Sequence, residues 1–73
     1  MKRVEITDVH PRDAYHNRKD EFLGLIVDGE FNQWQDEHGS VSGWWEGEAN
    51  DLNGKYYNFM AIKFEVLDEM ESQ

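Results

Sequence analysis

The chain has no cysteine, so no disulfide can supplement its core and a thiolate zinc site is excluded. That is compatible with a cytoplasmic protein. Long apolar runs are missing too. The most hydrophobic stretch, Phe22 to Val27 (FLGLIV), falls far short of the roughly 20 residues a spanning helix needs. Met1-Lys2-Arg3 begins like the basic end of a signal peptide, but no apolar segment follows, and neither a signal peptide nor a membrane span is expected. Bases are scarce: 7 Lys and Arg stand against 16 Asp and Glu, a net charge of −9. Such a chain is repelled by polyanions and anionic lipid, so direct nucleic-acid and membrane binding are not expected. There is no phosphate-cradling glycine loop and no serine- or cysteine-centred triad pattern. The 51–58 stretch lacks the alternating acids and terminal Glu of a calcium loop.

What is present is a β pattern within 73 residues, room for one small domain that buries only about 60% of its unfolded surface. From Lys2 to Val9, Val4 and Ile6 alternate with Arg3, Glu5 and Thr7, the period of a half-buried strand. His10-Pro11 ends it, because proline removes a ladder donor and restricts the residue before it. Residues 11–21 read as a long loop with one helical turn capped by Asp13. Phe22 to Val27 reads as a buried strand with Gly24 at a bulge or close backbone approach. Asp28-Gly29 reads as a turn and Glu30 to Gln35 as a weak strand holding Phe31 and Trp34. Asp36-Glu37-His38-Gly39 has the residues of a type I turn.

Half of the ten aromatic residues fall between Gly43 and Phe59 (GWWEGEANDLNGKYYNF), and this run reads as a β-hairpin. A two-residue Asn53-Gly54 loop would pair Glu48 with Phe59 and mix the faces. A three-residue loop, Leu52-Asn53-Gly54, pairs Asp51 with Lys55 and sets Gly47 against Phe59, with Gly54 left-handed in a bulge. A one-residue slip flips every side chain, so the apolar pattern selects this loop. Trp45, Tyr57 and Phe59 then face the core with Gly47 and Ala49. Ile62, Phe64 and Val66 begin a last strand, and residues 68–73 read as a disordered acidic tail. Residues 1–67 are therefore expected to form one all-β domain, a small barrel of five or six short antiparallel strands with one long loop at 10–21.

The residues Trp44, Trp45, Gly47, Gly54, Phe59, Ala61, Glu65 and Val66 occur in the order found in the second half of Src-homology-3 (SH3) domains. Over about thirty residues the chain resembles that family, which implies an SH3-like barrel with a short helical turn before the last strand. Eukaryotic members bind polyproline helices on an aromatic groove. The groove tryptophan corresponds to Trp44, but the groove proline, asparagine and tyrosine are replaced by Met60, Ile62 and Lys63, and polyproline recognition is not carried over. Val4, Ile6, Asp8, Val9, Asp13-Ala14-Tyr15 and Leu23-Gly24 give the N-terminal half a likeness to small bacterial and phage proteins.

Trp44 has the opposite parity to Trp45, beside Glu46 and Glu48. It either meets a partner or packs under the 10–21 loop or against Ile62; tryptophan is enriched at binding hot spots because it removes much area from water. Tyr56, and Tyr15 from the loop, extend the same candidate protein-binding patch of Trp44, Tyr15, Tyr56, Glu46 and Glu48. His10, His16 and His38 lack the converging donors of a metal site, and Asp8 and Asp13 are the remaining carboxylate pair that could serve acid–base chemistry. The expectation is a non-enzymatic protein-interaction module without metal or cofactor, with a bacterial or phage accessory role and a cytoplasmic location. The alternatives are an acidic nucleic-acid mimic and a structural or oligomeric phage component, edge strands offering a route to homo-oligomers.

Overall fold

A computed structural model describes residues 1–69. Four strands form one antiparallel sheet: β1 (Lys2–Val9), β2 (Ile26–Asp36), β3 (Gly39–Asp51) and β4 (Tyr56–Glu69). Each strand pairs with two neighbours in the order β1-β2-β3-β4, and β1 pairs with β4, so the sheet closes on itself. The 10–25 connection carries a 3-10 turn at His16–Arg18 and the one-turn helix α1 (Lys19–Phe22).

The strand number is four rather than five or six, for two local reasons. Asp28-Gly29 does not turn the chain. Both residues lie inside β2, Gly29 opposite Ala49 and Asp28 opposite Asn50, and a Cβ on Gly29 would stand 2.4 Å from the Glu48 carbonyl oxygen. The glycine is there for close strand approach, and β2 runs unbroken. Similarly, no helical turn interrupts β4. Its first part pairs with β3 and its second with β1, and Ile62 stands opposite both Trp45 and Val9. Between the Gly47–Phe59 and Trp45–Ile62 pairs, two steps along β3 match three along β4. A bulge at Met60–Ala61 thus replaces the helical turn that the SH3 resemblance implies.

The expected strand at Phe22 to Val27 also divides. Phe22 ends α1, Leu23-Gly24 turns, and β2 begins only at Ile26. An apolar run of six has no period long enough to separate helix end from strand. Gly24 is neither a bulge nor a close approach, since a Cβ there meets nothing within 4 Å. β1 and the Asp36–Gly39 turn form as expected. β4 continues through Asp68 and Glu69, two residues into the segment read as tail; residues 70–73 lie outside the described residues.

The expected hairpin register is present: Gly47 faces Phe59, Glu48 faces Asn58, and the Asp51 N–H donates to the Lys55 carbonyl at 2.9 Å. Gly54 takes φ +89, which a Cβ-bearing residue adopts only at a cost. The core joins Val4, Ile6 and Val9 of β1 with Phe22, Val27, Ala49, Tyr57, Phe59 and Ile62. Trp45, expected among them, is half-buried outside this cluster, its ring 5.8 Å from that of Phe64 and under the Lys2 ammonium at 5.9 Å.

Candidate functional site

The five expected patch residues do not form one patch. Trp44 ends an irregular stretch in which β3 residues 41–44 stand opposite Trp34 alone, and Gly43 there takes φ +86. The Trp44 ring meets the edge of His10 at 4.7 Å and lies under the Lys63 ammonium at 4.6 Å. His10 also contacts Trp34 at 4.7 Å, and Arg12 covers Trp34 at 5.6 Å. Trp44 is thus half-buried in a second aromatic cluster under the start of the long loop. Tyr56 pairs with Asn50, six residues along β3 from Trp44 and therefore about 20 Å away at strand rise. Tyr15 packs on Phe22, Phe59 and Tyr57 at 4.8, 5.5 and 6.0 Å and lids the core.

The remaining two, Glu46 and Glu48, lie with Tyr56 on the outer face of β2, β3 and β4. Strand alternation places Asp28, Glu30 and Asn32 of β2, Glu46, Glu48 and Asn50 of β3, and Tyr56 and Asn58 of β4 on this face, in register. Most of its carboxylates are engaged. Asp28 accepts from Arg3 Nε and Nη2 at 2.8 and 2.9 Å, which holds its carboxyl below the usual range. Glu48 accepts from the Tyr56 hydroxyl, and this bond raises the Tyr56 phenol above its ordinary value. Glu30 stands 3.9 Å from the N-terminal amine. Glu46, half-buried, makes no hydrogen bond or ion pair among the described residues.

Glu46 lines a groove of about 500 Å³ walled by Asp13-Ala14 of the loop, with Asn32, Asn58 and Met60 around it. A second depression of about 470 Å³ shares Asn32 and Gly47 and continues toward Glu48 and Asn50. Asn32, Asn58 and Met60 escaped the sequence reading. Their placement needs the register of β2 through Asp28-Gly29 and the bulge of β4, neither of which has a local signature.

The loop wall is fixed by Asp13, which is 4% exposed. Its Oδ2 accepts from the Met60 and Ala61 N–H groups, both at 2.8 Å, and its Oδ1 from the Tyr15 N–H at 2.8 Å. Those two β4 donors belong to the bulge and have left the ladder. Asp13 therefore does not cap a helix as expected; neither short helix has a side-chain cap. Nor does it form a pair with Asp8, which accepts from Lys19 Nζ at 2.7 Å and from the Val9 N–H at 2.9 Å. The Lys19 bond, foremost, holds Asp8 below its ordinary value.

The histidines are scattered. His10 Nδ1 accepts from the Arg12 N–H at 3.0 Å, His16 Nδ1 lies 3.2 Å from the Val9 carbonyl, and His38 lies beside Glu37 at 3.5 Å. Among the described residues, no three His, Asp or Glu side chains are grouped to hold a metal, and no helix is long and apolar enough to cross a membrane. No protein-family model, curated protein or solved structure matches this chain.

Proposed function

We propose that the protein is a non-enzymatic interaction module that receives a protein partner on the outer face of β2, β3 and β4. The observation that carries this is the trough over Glu46, in which the Glu46, Asn32 and Asn58 side chains have no partner among the described residues and Met60 beside them is 48% exposed; Tyr56, 54% exposed, lies further along the same face, opposite Asn50. A thioether at a polar concavity and a phenol further along the same face supply what interfaces are enriched in, and Met adapts to irregular partners. The closed sheet supports kinship with SH3-like barrels, and a cytoplasmic accessory role in bacteria or phage remains part of this reading. The test is affinity capture on the immobilised full chain, comparing wild type with Tyr56→Ala, Met60→Ala and, in the 52–54 turn outside both depressions, Leu52→Ala. Loss of a captured protein with the first two substitutions alone supports the face; equal capture by all three overturns it.

A second reading, nucleic-acid mimicry, draws support from the outward carboxylates Asp28, Glu30, Glu46 and Glu48 on paired strands. Association with a DNA-binding protein would then weaken steeply with salt, as exposed charges are screened beyond about 8 Å at physiological ionic strength. Salt-insensitive association would exclude it.

A further inference from the structure

We propose that the groove over Glu46 seats an arginine side chain from an extended segment of the partner; this rests on the interaction reading above. Three features specify the occupant. First, among the described residues no basic side chain lines the groove, although two carboxylates do. Asp13 accepts from three backbone donors, while Glu46 has both oxygens unengaged among the described residues. Whereas Asp8, Glu21 and Asp28 each have a cationic partner, Glu46 lines its concavity with no counter-charge among the described residues.

Second, the neighbours of Glu46 suit a planar, many-donor cation. Asn32 stands directly opposite Glu46 across β2–β3, and Asn58 stands opposite Glu48 on the other side. Neither carboxamide makes a side-chain hydrogen bond among the described residues. A guanidinium has five donors in a fixed fork, enough to engage a carboxylate bidentately and still reach a flanking amide oxygen. A lysine ammonium is a strongly hydrated point charge that gains less from such a planar set. Met60 gives the aliphatic stem an apolar wall.

Third, the shape fits a side chain with its backbone rather than a free small molecule. The groove's 500 Å³ continues into the 470 Å³ depression along β3. From Glu46 to Asn50 the strand spans about 13 Å, the length of four extended residues.

The experiment uses the full chain, ¹⁵N-labelled, titrated with a short peptide carrying one central arginine and with the same peptide carrying lysine. The arginine peptide should shift the amides of Asn32, Glu46, Gly47 and Asn58, and bind at least several-fold more tightly than the lysine peptide. Glu46→Gln, which preserves shape and breaks no existing contact, should weaken the arginine peptide about ten-fold or more, the loss of one charge-assisted bidentate contact. Glu65→Gln, on the far part of β4, should leave it unchanged. Equal weakening by both substitutions reduces the effect to net charge and overturns the proposal, as does the absence of shifts at these amides. A captured partner that Tyr56→Ala loses and Glu46→Gln retains would overturn the arginine seat alone and leave the interaction reading standing.

Discussion

Replacing Asp13 with alanine should bring this protein to the edge of unfolding, although Asp13 lies in a loop. In the wild type one carboxylate satisfies the N–H groups of Tyr15, Met60 and Ala61. Ala61 is wholly buried, and its N–H has no strand partner because the β4 ladder jumps there. In the alanine variant the Tyr15 N–H can turn to water, whereas the Ala61 donor cannot. An unsatisfied buried donor costs about 1–3 kcal/mol, and each lost bond to a charged acceptor about 1.5–3 kcal/mol. Since these overlap, the loss is about 3–5 kcal/mol, against a total stability of about 4–11 kcal/mol expected at 0.05–0.15 kcal/mol per residue. Asp13→Asn keeps one oxygen for the Met60–Ala61 pair but turns an amide donor toward Tyr15, and should lose about half as much. Urea unfolding followed by far-ultraviolet circular dichroism and tryptophan fluorescence measures both. An alanine variant within about 0.5 kcal/mol of wild type, ordinary for a neutral surface change, would refute the reasoning.

Gly47→Ala places a Cβ 2.1 Å from the Glu30 carbonyl oxygen, a backbone atom that cannot swing away, and should cost about 1–3 kcal/mol in the same urea assay. Gly54→Ala meets open space but keeps φ +89 and should cost about 1 kcal/mol, with the hairpin intact by circular dichroism. Asp28, Asp8 and Asp51 are held below their ordinary values, chiefly by hydrogen bonds from Arg3, Lys19 and the Lys55 backbone N–H. Their stabilisation is therefore complete above the unfolded aspartate value of about 3.9 and lost as pH falls through the lower folded values. The urea midpoint should drop in that window, and Asp28→Asn should flatten the drop. Glu48→Gln should bring the raised Tyr56 phenol back toward its ordinary value, read by absorbance titration of the tyrosines.

The parts of the fold legible in the sequence are those where one short segment determines its own geometry. The 51–55 loop is such a case. Asp51, Asn53 and Gly54 specify the turn, and the apolar parity of Trp45, Gly47 and Phe59 selects its length, so the Gly47–Phe59 register follows without knowledge of the rest. Asp28-Gly29 has the residues of a turn but lies inside a strand, because Arg3 of β1 captures Asp28 and the backbone of β3 comes too close for any side chain at Gly29. Both causes are contributed by other strands. Asp13 likewise resembles a helix cap, yet two of its three donors are 47 and 48 residues away. Trp44 was readable as lying off the core face; that His10 and Lys63 cover it depends on the widened stretch opposite Trp34. The candidate site was half legible for the same reason: Glu46 and Glu48 share a strand, whereas Asn32, Asn58 and Met60 join them only through long-range register.

The unbroken β4 also governs the order of events in folding. β1 is first in the chain, yet along Lys2–Val9 it pairs with Ile62–Glu69, the last part described. Until those residues are available, Val4, Ile6 and Val9 have no strand on that side, and the loop to be closed is nearly the whole chain. An emerging polypeptide therefore has no stable amino-terminal half to bank while the remainder is made. It should fold in one late cooperative step, at the slower rates of non-local topologies, with its apolar strand exposed to chaperones meanwhile.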